Sequence, residues 1–91
     1  MKLNVYSVKD AKAATFGNPF YANNDQVAIR SFQAVADDPN TTIHKNPEDF
    51  SLYKVAEWDD NSGEIIPQKQ PKFVTNVASK PAQAVEQSIK E

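Results

Sequence analysis

The sequence lacks the residues that most metal and cofactor sites require: its 91 residues include no cysteine, two glycines and one histidine. Without cysteine, a disulfide framework and a thiolate metal site are both excluded. Gly17 and Gly63 are too few for a glycine-rich loop that cradles a nucleotide phosphate. His44 has no second histidine to join it in a zinc site or triad, so we expect a solvated loop residue, no metal and no cofactor.

Long apolar runs are also missing. No stretch approaches the roughly 20 apolar residues that a membrane-spanning helix needs. The first six residues, Met1 to Tyr6, contain no apolar run long enough for the core of a signal peptide. We therefore expect an intracellular protein without a membrane partner.

The carboxylates do not form a recognisable catalytic or calcium-binding pattern. The run from Asp59 to Glu64 does not match the offsets of a twelve-residue calcium loop, and a hairpin turn explains it. Acid-base catalysis needs two carboxylates that converge in a dry pocket, whereas Glu48, Asp49 and Glu57 lie near predicted turns and strand ends. We expect the protein not to be an enzyme.

Charge is distributed unevenly around a net value of −2, which argues against a strong nonspecific polyanion binder. Residues 1–36 carry four basic and two acidic side chains, residues 37–66 carry two and eight, and residues 67–91 carry four and two. The basic ends are compatible with DNA, and the acidic middle with a basic protein partner. Alternatively, the acidic residues only form a solvated surface.

Length and patterning indicate one small α+β domain. We predict a β-α-β-β arrangement, in which an antiparallel sheet of three or four strands carries one helix across one face. Residues 1–77 form the domain, and residues 78–91 form a tail that is flexible or ordered by a partner. The predicted elements begin with a strand at 3–9, a loop at 15–24, a helix at 24–38 and a polar connector at 40–49. A hairpin of 50–58 with 64–66 follows. After a break at 67–71, residues 72–77 form either a further strand or an extension at the sheet edge.

The helix has clear start and stop signals. Asn24 is suited to cap its first turn, and Pro39 ends it. At helical spacing, five apolar residues share the face expected to lie on the core: Ala28, Ile29, Phe32, Val35 and Ala36.

Aromatic residues near basic side chains suggest a site for single-stranded nucleic acid, where bases stack on exposed rings beside cations. Phe16, Phe20 and Tyr21 lie in the more basic first third of the chain. We predict that five residues line one binding surface, namely Lys9, Lys12, Phe20, Tyr21 and Arg30. The alternative is that these rings close the small core. Tyr53 and Trp58 raise the same question, and their parity places them on opposite sides of the second strand.

Several blocks in consistent order resemble the small nonstructural protein of gokushoviruses, which are microviruses with circular single-stranded DNA. The resemblance covers residues 2–77, and the blocks that carry it are Lys2 to Lys12, Asn18 to Phe20, Asp25 to Phe32, Pro47 to Val55 and Asp59 to Gly63. It implies a nonstructural bacteriophage protein that binds DNA and acts in the host cytoplasm. It implies no catalytic residue.

We therefore predict a protein that binds single-stranded DNA and assists genome replication, or the switch to single-stranded DNA synthesis and packaging. The alternative is an adaptor that recruits host replication or phage assembly proteins through its acidic middle region. We also expect a homodimer or higher oligomer, formed at sheet edges that the first strand and the helix leave free.

Overall fold

A computed structural model describes residues 2–78, which form five strands, one long helix and one short helix. The strands are β1 (Lys2–Asp10), β2 (Thr15–Phe16), β3 (Phe20–Ala22), β4 (Phe50–Asp59) and β5 (Glu64–Asn76). The helices are α1 (Asp25–Asp37) and α2 (Thr42–Lys45), and a 3-10 turn, Pro47–Asp49, leads into β4. The predicted α+β class is confirmed. The predicted tail lies outside the described residues except for Ala78, whose amide donates to Oε1 of Gln33 at 2.9 Å.

Helix α1 begins where its sequence signals place it. Oδ1 of Asn24 accepts a hydrogen bond from the amide of Val27 at 3.0 Å, which satisfies one of the free donors of the first turn. Ala28, Phe32 and Ala36 are buried on the predicted face. Val35 was predicted on that face but is exposed, because it lies at the margin of the apolar stripe.

The five strands form one antiparallel sheet in the order β2-β1-β4-β5, and β3 also pairs with β1. Strand β1 therefore has neighbours on both sides. The prediction that the first strand leaves a free edge is wrong, because β2 and β3 fold back onto it from the segment that we expected to be a loop. The sheet edges are β5 on one side and the short β2 and β3 on the other.

The hairpin of β4 and β5 forms as expected, but β5 is much longer than predicted. It runs without a break through Pro67 and Pro71, where we expected the strand to stop. An edge strand tolerates proline because its outer amides need no partner in the sheet. The register also shifts between Lys54 and Ala56, so that four β5 residues, 68–71, lie opposite Val55 alone. Pro67 and Pro71 are thus accommodated because β5 is an edge strand and its register with β4 is irregular at this point.

The connector at 40–49 contains more regular structure than predicted. Thr41 caps α2 by accepting from the amide of His44 at 3.2 Å. His44 is thus placed on a short helix, and its Nδ1 donates to the carbonyl of Ala36 at 2.9 Å. The ring is exposed but tethered to α1, which corrects the expectation of a free loop histidine.

The core lies between α1 and one face of the sheet, with Tyr6 and Leu52 completely buried at its centre. The hydroxyl of Tyr6 donates to Oδ1 of Asp25 at 2.5 Å and accepts from Nδ2 of Asn4 at 3.0 Å. Burial and the hydrogen bond to Asp25 raise the pKa of Tyr6 to about 12. This contact ties the first turn of α1 to the middle of the sheet.

Candidate nucleic-acid interface

The two faces of the sheet differ sharply in what covers them. Tyr6 and Val8 of β1 belong to the core packed against α1, so the alternate residues of β1 point to the other face. Cross-strand partners share a face, and the observed register extends this assignment to the other strands. We call the side away from α1 the aromatic face.

A β-bulge decides which aromatic residues reach this face. Tyr53 pairs with Ser7 and Trp58 pairs with Leu3, while Val55 has no direct partner on β1. The extra residue changes the parity between the two halves of β4, so both aromatic rings lie on the aromatic face. The sequence-based expectation that Tyr53 and Trp58 lie on opposite sides is therefore wrong.

The aromatic face consists of four cross-strand rows. From one end to the other they are Leu3, Trp58 and Ile65; Tyr21, Val5, Ala56 and Pro67; Ser7, Tyr53 and Phe73; and Phe16, Lys9, Ser51 and Asn76. The first two rows are apolar apart from the tyrosine hydroxyl and the indole N–H, and we call them the apolar half. The last two rows combine three aromatic rings with a lysine and small polar side chains, and we call them the lysine half.

The rings of the lysine half form a continuous series across the sheet. The centroids of Phe16 and Tyr53 are 5.6 Å apart, those of Tyr53 and Phe73 are 5.8 Å apart, and both pairs meet edge to face. Phe16 is 42% exposed and Phe73 is 51% exposed. Nζ of Lys9 lies 5.7 Å from the centroid of Phe16 and 5.9 Å from that of Tyr53. A cation therefore lies over the exposed ring of Phe16 and the half-buried ring of Tyr53.

Hydrogen bonds fix the strands that carry these rings. The buried hydroxyl of Ser7 donates to the carbonyl of Gly17 at 2.7 Å, and the amide of Gly17 donates to the carbonyl of Val8 at 2.8 Å. These bonds hold the segment after Phe16 against β1. At the other edge, Oγ of Ser51 donates to Oδ1 of Asn76 at 2.8 Å, between β4 and β5. The lysine half is therefore held in place from both sides.

Negative charge is kept away from the aromatic face. The strands carry four carboxylates, and each pairs with a residue of the α1 side: Asp10, Glu57, Asp59 and Glu64. Glu57 is paired there with Lys54, whose Nζ lies 3.1 Å from Oε2. Among the strand residues that the register assigns to the aromatic face, Lys9 is the one charged side chain. The net charge of −2 consequently does not describe this surface.

Comparison with known proteins places the chain in a phage family. The model of the family described as Phage ORF5 protein matches residues 3–80. The chain belongs to the Phage ORF5 protein family. Protein ORF5 of Chlamydia phage 1, a gokushovirus, is 31% identical over 71 residues, which cover 74% of each chain. The predicted resemblance to a gokushovirus family is thereby confirmed. No solved structure matches.

The match to the Phage ORF5 family spans the whole candidate site, because residues 3–80 include every residue of the four rows. The family name and the relative's name do not state a ligand. In the described residues 2–78, no helix is long and apolar enough to cross a membrane.

The structure separates the five residues that the sequence predicted as one surface. Lys9 and Tyr21 lie on the aromatic face, and Lys12 lies in the turn after β1, where its amide donates to Oδ1 of Asp10 at 3.0 Å. Phe20 points to the opposite side, and its ring stacks on Tyr6 with centroids 5.8 Å apart. Arg30 lies on the solvent side of α1. Phe20 and Arg30 are therefore not part of one surface with Lys9.

Sequence reasoning did not select the three rings of the lysine half, namely Phe16, Tyr53 and Phe73. Phe16 and Tyr53 were recognised as ambiguous rings, but their alignment depends on pairing between strands far apart in sequence. Phe73 lay in the predicted strand or extension at 72–77, but the break predicted at 67–71 separated that segment from the hairpin. Its pairing with Tyr53 depends on the register between β4 and β5, which shifts between Leu52 and Tyr53 and again after Lys54.

A second concave region lies on the α1 side of the molecule. It has a volume of about 800 Å³ and is lined by residues of α1, α2 and the end of β5. Its polar lining includes Gln33, His44 and Glu48. Within residues 2–78, no group of three or more metal-ligating side chains converges. The region borders the lysine half at Asn76, which lines both.

Proposed function

We propose that this phage protein binds single-stranded DNA through the lysine half of the aromatic face. The observation that carries the proposal is the series of Phe16, Tyr53 and Phe73, with Lys9 over two of the rings and strand carboxylates confined to the other face. On this proposal the protein acts without catalysis in the host cytoplasm. It assists genome replication or the switch to single-stranded synthesis and packaging.

Exposed rings favour single strands because an unpaired base has a free face. Stacking of a base on an aromatic side chain contributes about 1–3 kcal/mol and depends little on sequence. Bases in a duplex are already stacked on each other, so a duplex offers this face only at its ends. Phe16 and Phe73 flank Tyr53 at opposite ends of the series and provide two exposed ring positions.

A single lysine on the surface predicts weak dependence on salt. Each phosphate neutralised on a single strand contributes a slope of about −0.7 to the logarithm of the binding constant against that of salt. One contact through Lys9 should give a slope of this size per protomer. Strongly basic proteins neutralise many phosphates and give much steeper slopes. The proposed binding therefore depends more on stacking than on charge, which suits an acidic chain.

The test is a fluorescence anisotropy titration with a labelled oligothymidylate and with a duplex of the same length. Phe73→Ala should weaken binding of the single strand about tenfold, corresponding to loss of about 1.4 kcal/mol from one stacked base. Val35→Ala is the control, because Val35 is an exposed apolar residue on α1. Lys9→Met should weaken binding and reduce the salt slope, whereas Lys45→Met on α2 should do neither. Absence of binding by the wild-type protein at low salt would refute the proposal.

A second candidate function uses the other side of the molecule. The concave region is lined in part by the acidic stretch 37–66, which contributes Asp37 and Glu48, and we assign it to a basic segment of a host or phage protein. Under this alternative, Glu48→Lys abolishes capture of a partner from host lysate and leaves DNA binding unchanged. Phe73→Ala has the opposite pattern, so the two variants distinguish the alternatives.

A further inference from the structure

We propose that the apolar half of the aromatic face is the surface through which two copies of this chain associate. The surface is formed by two adjacent rows that cross β3, β1, β4 and β5. Its residues are Leu3, Val5, Tyr21, Ala56, Trp58, Ile65 and Pro67. This inference does not depend on the proposed DNA binding.

These residues combine a buried floor with exposed apolar side chains at its margins. Val5 and Ala56 form a buried floor, each 6% exposed. Around it, Tyr21 is 54% exposed and Ile65 is 59% exposed. Leu3 and Trp58 are half-buried, and Pro67 is exposed. Exposed apolar side chains are unfavourable in water, and interface centres are enriched in aromatic residues and depleted of charge. The apolar half has this composition.

The charge pattern favours a second copy over a charged partner. The whole chain is 24% charged, yet no charged side chain occurs among the seven residues of the apolar half. A polyanion would find no cation there, and a charged protein surface would lose hydration without gaining a counter-charge. An uncharged surface of the same shape avoids both costs. Two-fold symmetry places the apolar half of one copy against that of the other.

Pairing at the sheet edges is less favourable than pairing of faces. The free edge belongs to β5, where Pro67 and Pro71 lack the amide donors that a further strand would need. The opposite edge consists of β2 and β3, which contain two and three residues. Neither edge provides a long ladder of hydrogen bonds. The sheet face is therefore the surface that we assign to association.

The dimensions of the surface predict a weak dimer. Four strands spaced by about 4.8 Å and two rows about 7 Å apart give a footprint of about 19 by 14 Å. Stable complexes usually bury about 800 Å² per partner, which exceeds this footprint. We expect dissociation in the micromolar range. The lysine halves remain uncovered beside the interface, so a dimer offers two sites to one DNA strand.

Ile65 and Ile66 provide a matched pair of variants. They are adjacent and both exposed, at 59% and 40%, but they lie on opposite faces of β5. Ile65→Glu should raise the dissociation constant of the dimer at least tenfold, whereas Ile66→Glu should leave it within twofold of wild type. Sedimentation velocity over a range of protein concentrations measures both constants, and circular dichroism confirms that both variants fold.

Trp58, the one tryptophan of the chain, gives an independent signal. Its emission should move to shorter wavelength as the wild-type protein is concentrated, and this change should be absent in Ile65→Glu. Phe73→Ala should remain dimeric, which separates this surface from the proposed DNA site. Wild-type protein that stays monomeric at about 1 mM, or equal effects of Ile65→Glu and Ile66→Glu, would overturn the inference.

Discussion

Replacing Tyr6 by phenylalanine removes one hydroxyl from the core, and the effect on stability should depend on pH. The hydroxyl donates to Asp25 and accepts from Asn4, while the ring itself is completely buried. Phenylalanine keeps the ring, so the variant should fold. Near pH 8 we expect the wild type to be more stable by about 1 kcal/mol, the usual net value of one hydrogen bond.

The sign of the pH effect follows from the raised pKa. Burial, followed by the hydrogen bond to Asp25, raises the pKa of Tyr6 from 10.0 to about 12. The folded chain thus binds the phenolic proton more tightly than the unfolded chain. This contribution is fully present below pH 10 and is lost as the pH rises to about 12. Two pKa units correspond to about 2–3 kcal/mol, so the stability difference should reverse within this range.

Urea unfolding followed by circular dichroism at several pH values between about 8 and 11.5 measures the difference directly. Tyr53→Phe is the control, because it makes the same chemical change on the aromatic face. It leaves the contact between Tyr6 and Asp25 in place. If the difference for Tyr6→Phe stays constant with pH, the hydroxyl of Tyr6 does not couple the helix to the sheet as described.

Two further predictions concern the helix and the core. Asn24→Ala removes the cap of α1 and should lower the free energy of unfolding by about 1 kcal/mol, measured in urea. The control Asn23→Ala should lower it by less than about 0.5 kcal/mol. Equal losses of stability in the two variants would argue against the cap. Leu52→Ala should cost about 2–5 kcal/mol because Leu52 is fully buried. A loss below about 1 kcal/mol in the same assay would mean that the core beneath α1 is not tightly packed.

The acidic net charge and the proposed role in binding DNA are reconciled by where the charges lie. Glu57, Asp59 and the other strand carboxylates occupy the α1 side, together with Lys54. Among the strand residues that the register assigns to the aromatic face, Lys9 is the one charged side chain. A count of charges along the chain cannot show this, because neighbours in a strand alternate between faces.

The strands also show why a sequence pattern can mislead at short range. Strands β2 and β3 contain two and three residues, too few for a recognisable alternation, and each is held by pairing with β1. In β5, Pro67 and Pro71 are ordinary signals of a break. They are tolerated because β5 is at the edge and its register is irregular opposite Val55. Both outcomes depend on partners that local patterns do not reveal.

The sequence by itself determined the features that depend on local chemistry. Asn24 and Pro39 bound the helix because capping and the missing proline amide act within one turn, and helical spacing selected Ala28, Phe32 and Ala36 as its buried face. The α+β class and the hairpin followed from similar short-range patterns.

Only the tertiary structure decided which aromatic rings share a surface. Strict alternation separates Tyr53 from Trp58, but the bulge at Val55 brings both to the aromatic face. Phe16 and Phe73 join Tyr53 through β2 and β5, which are distant in sequence. The physical reason is that the parity of a strand holds only while its register is unbroken, and that register is set by its partners.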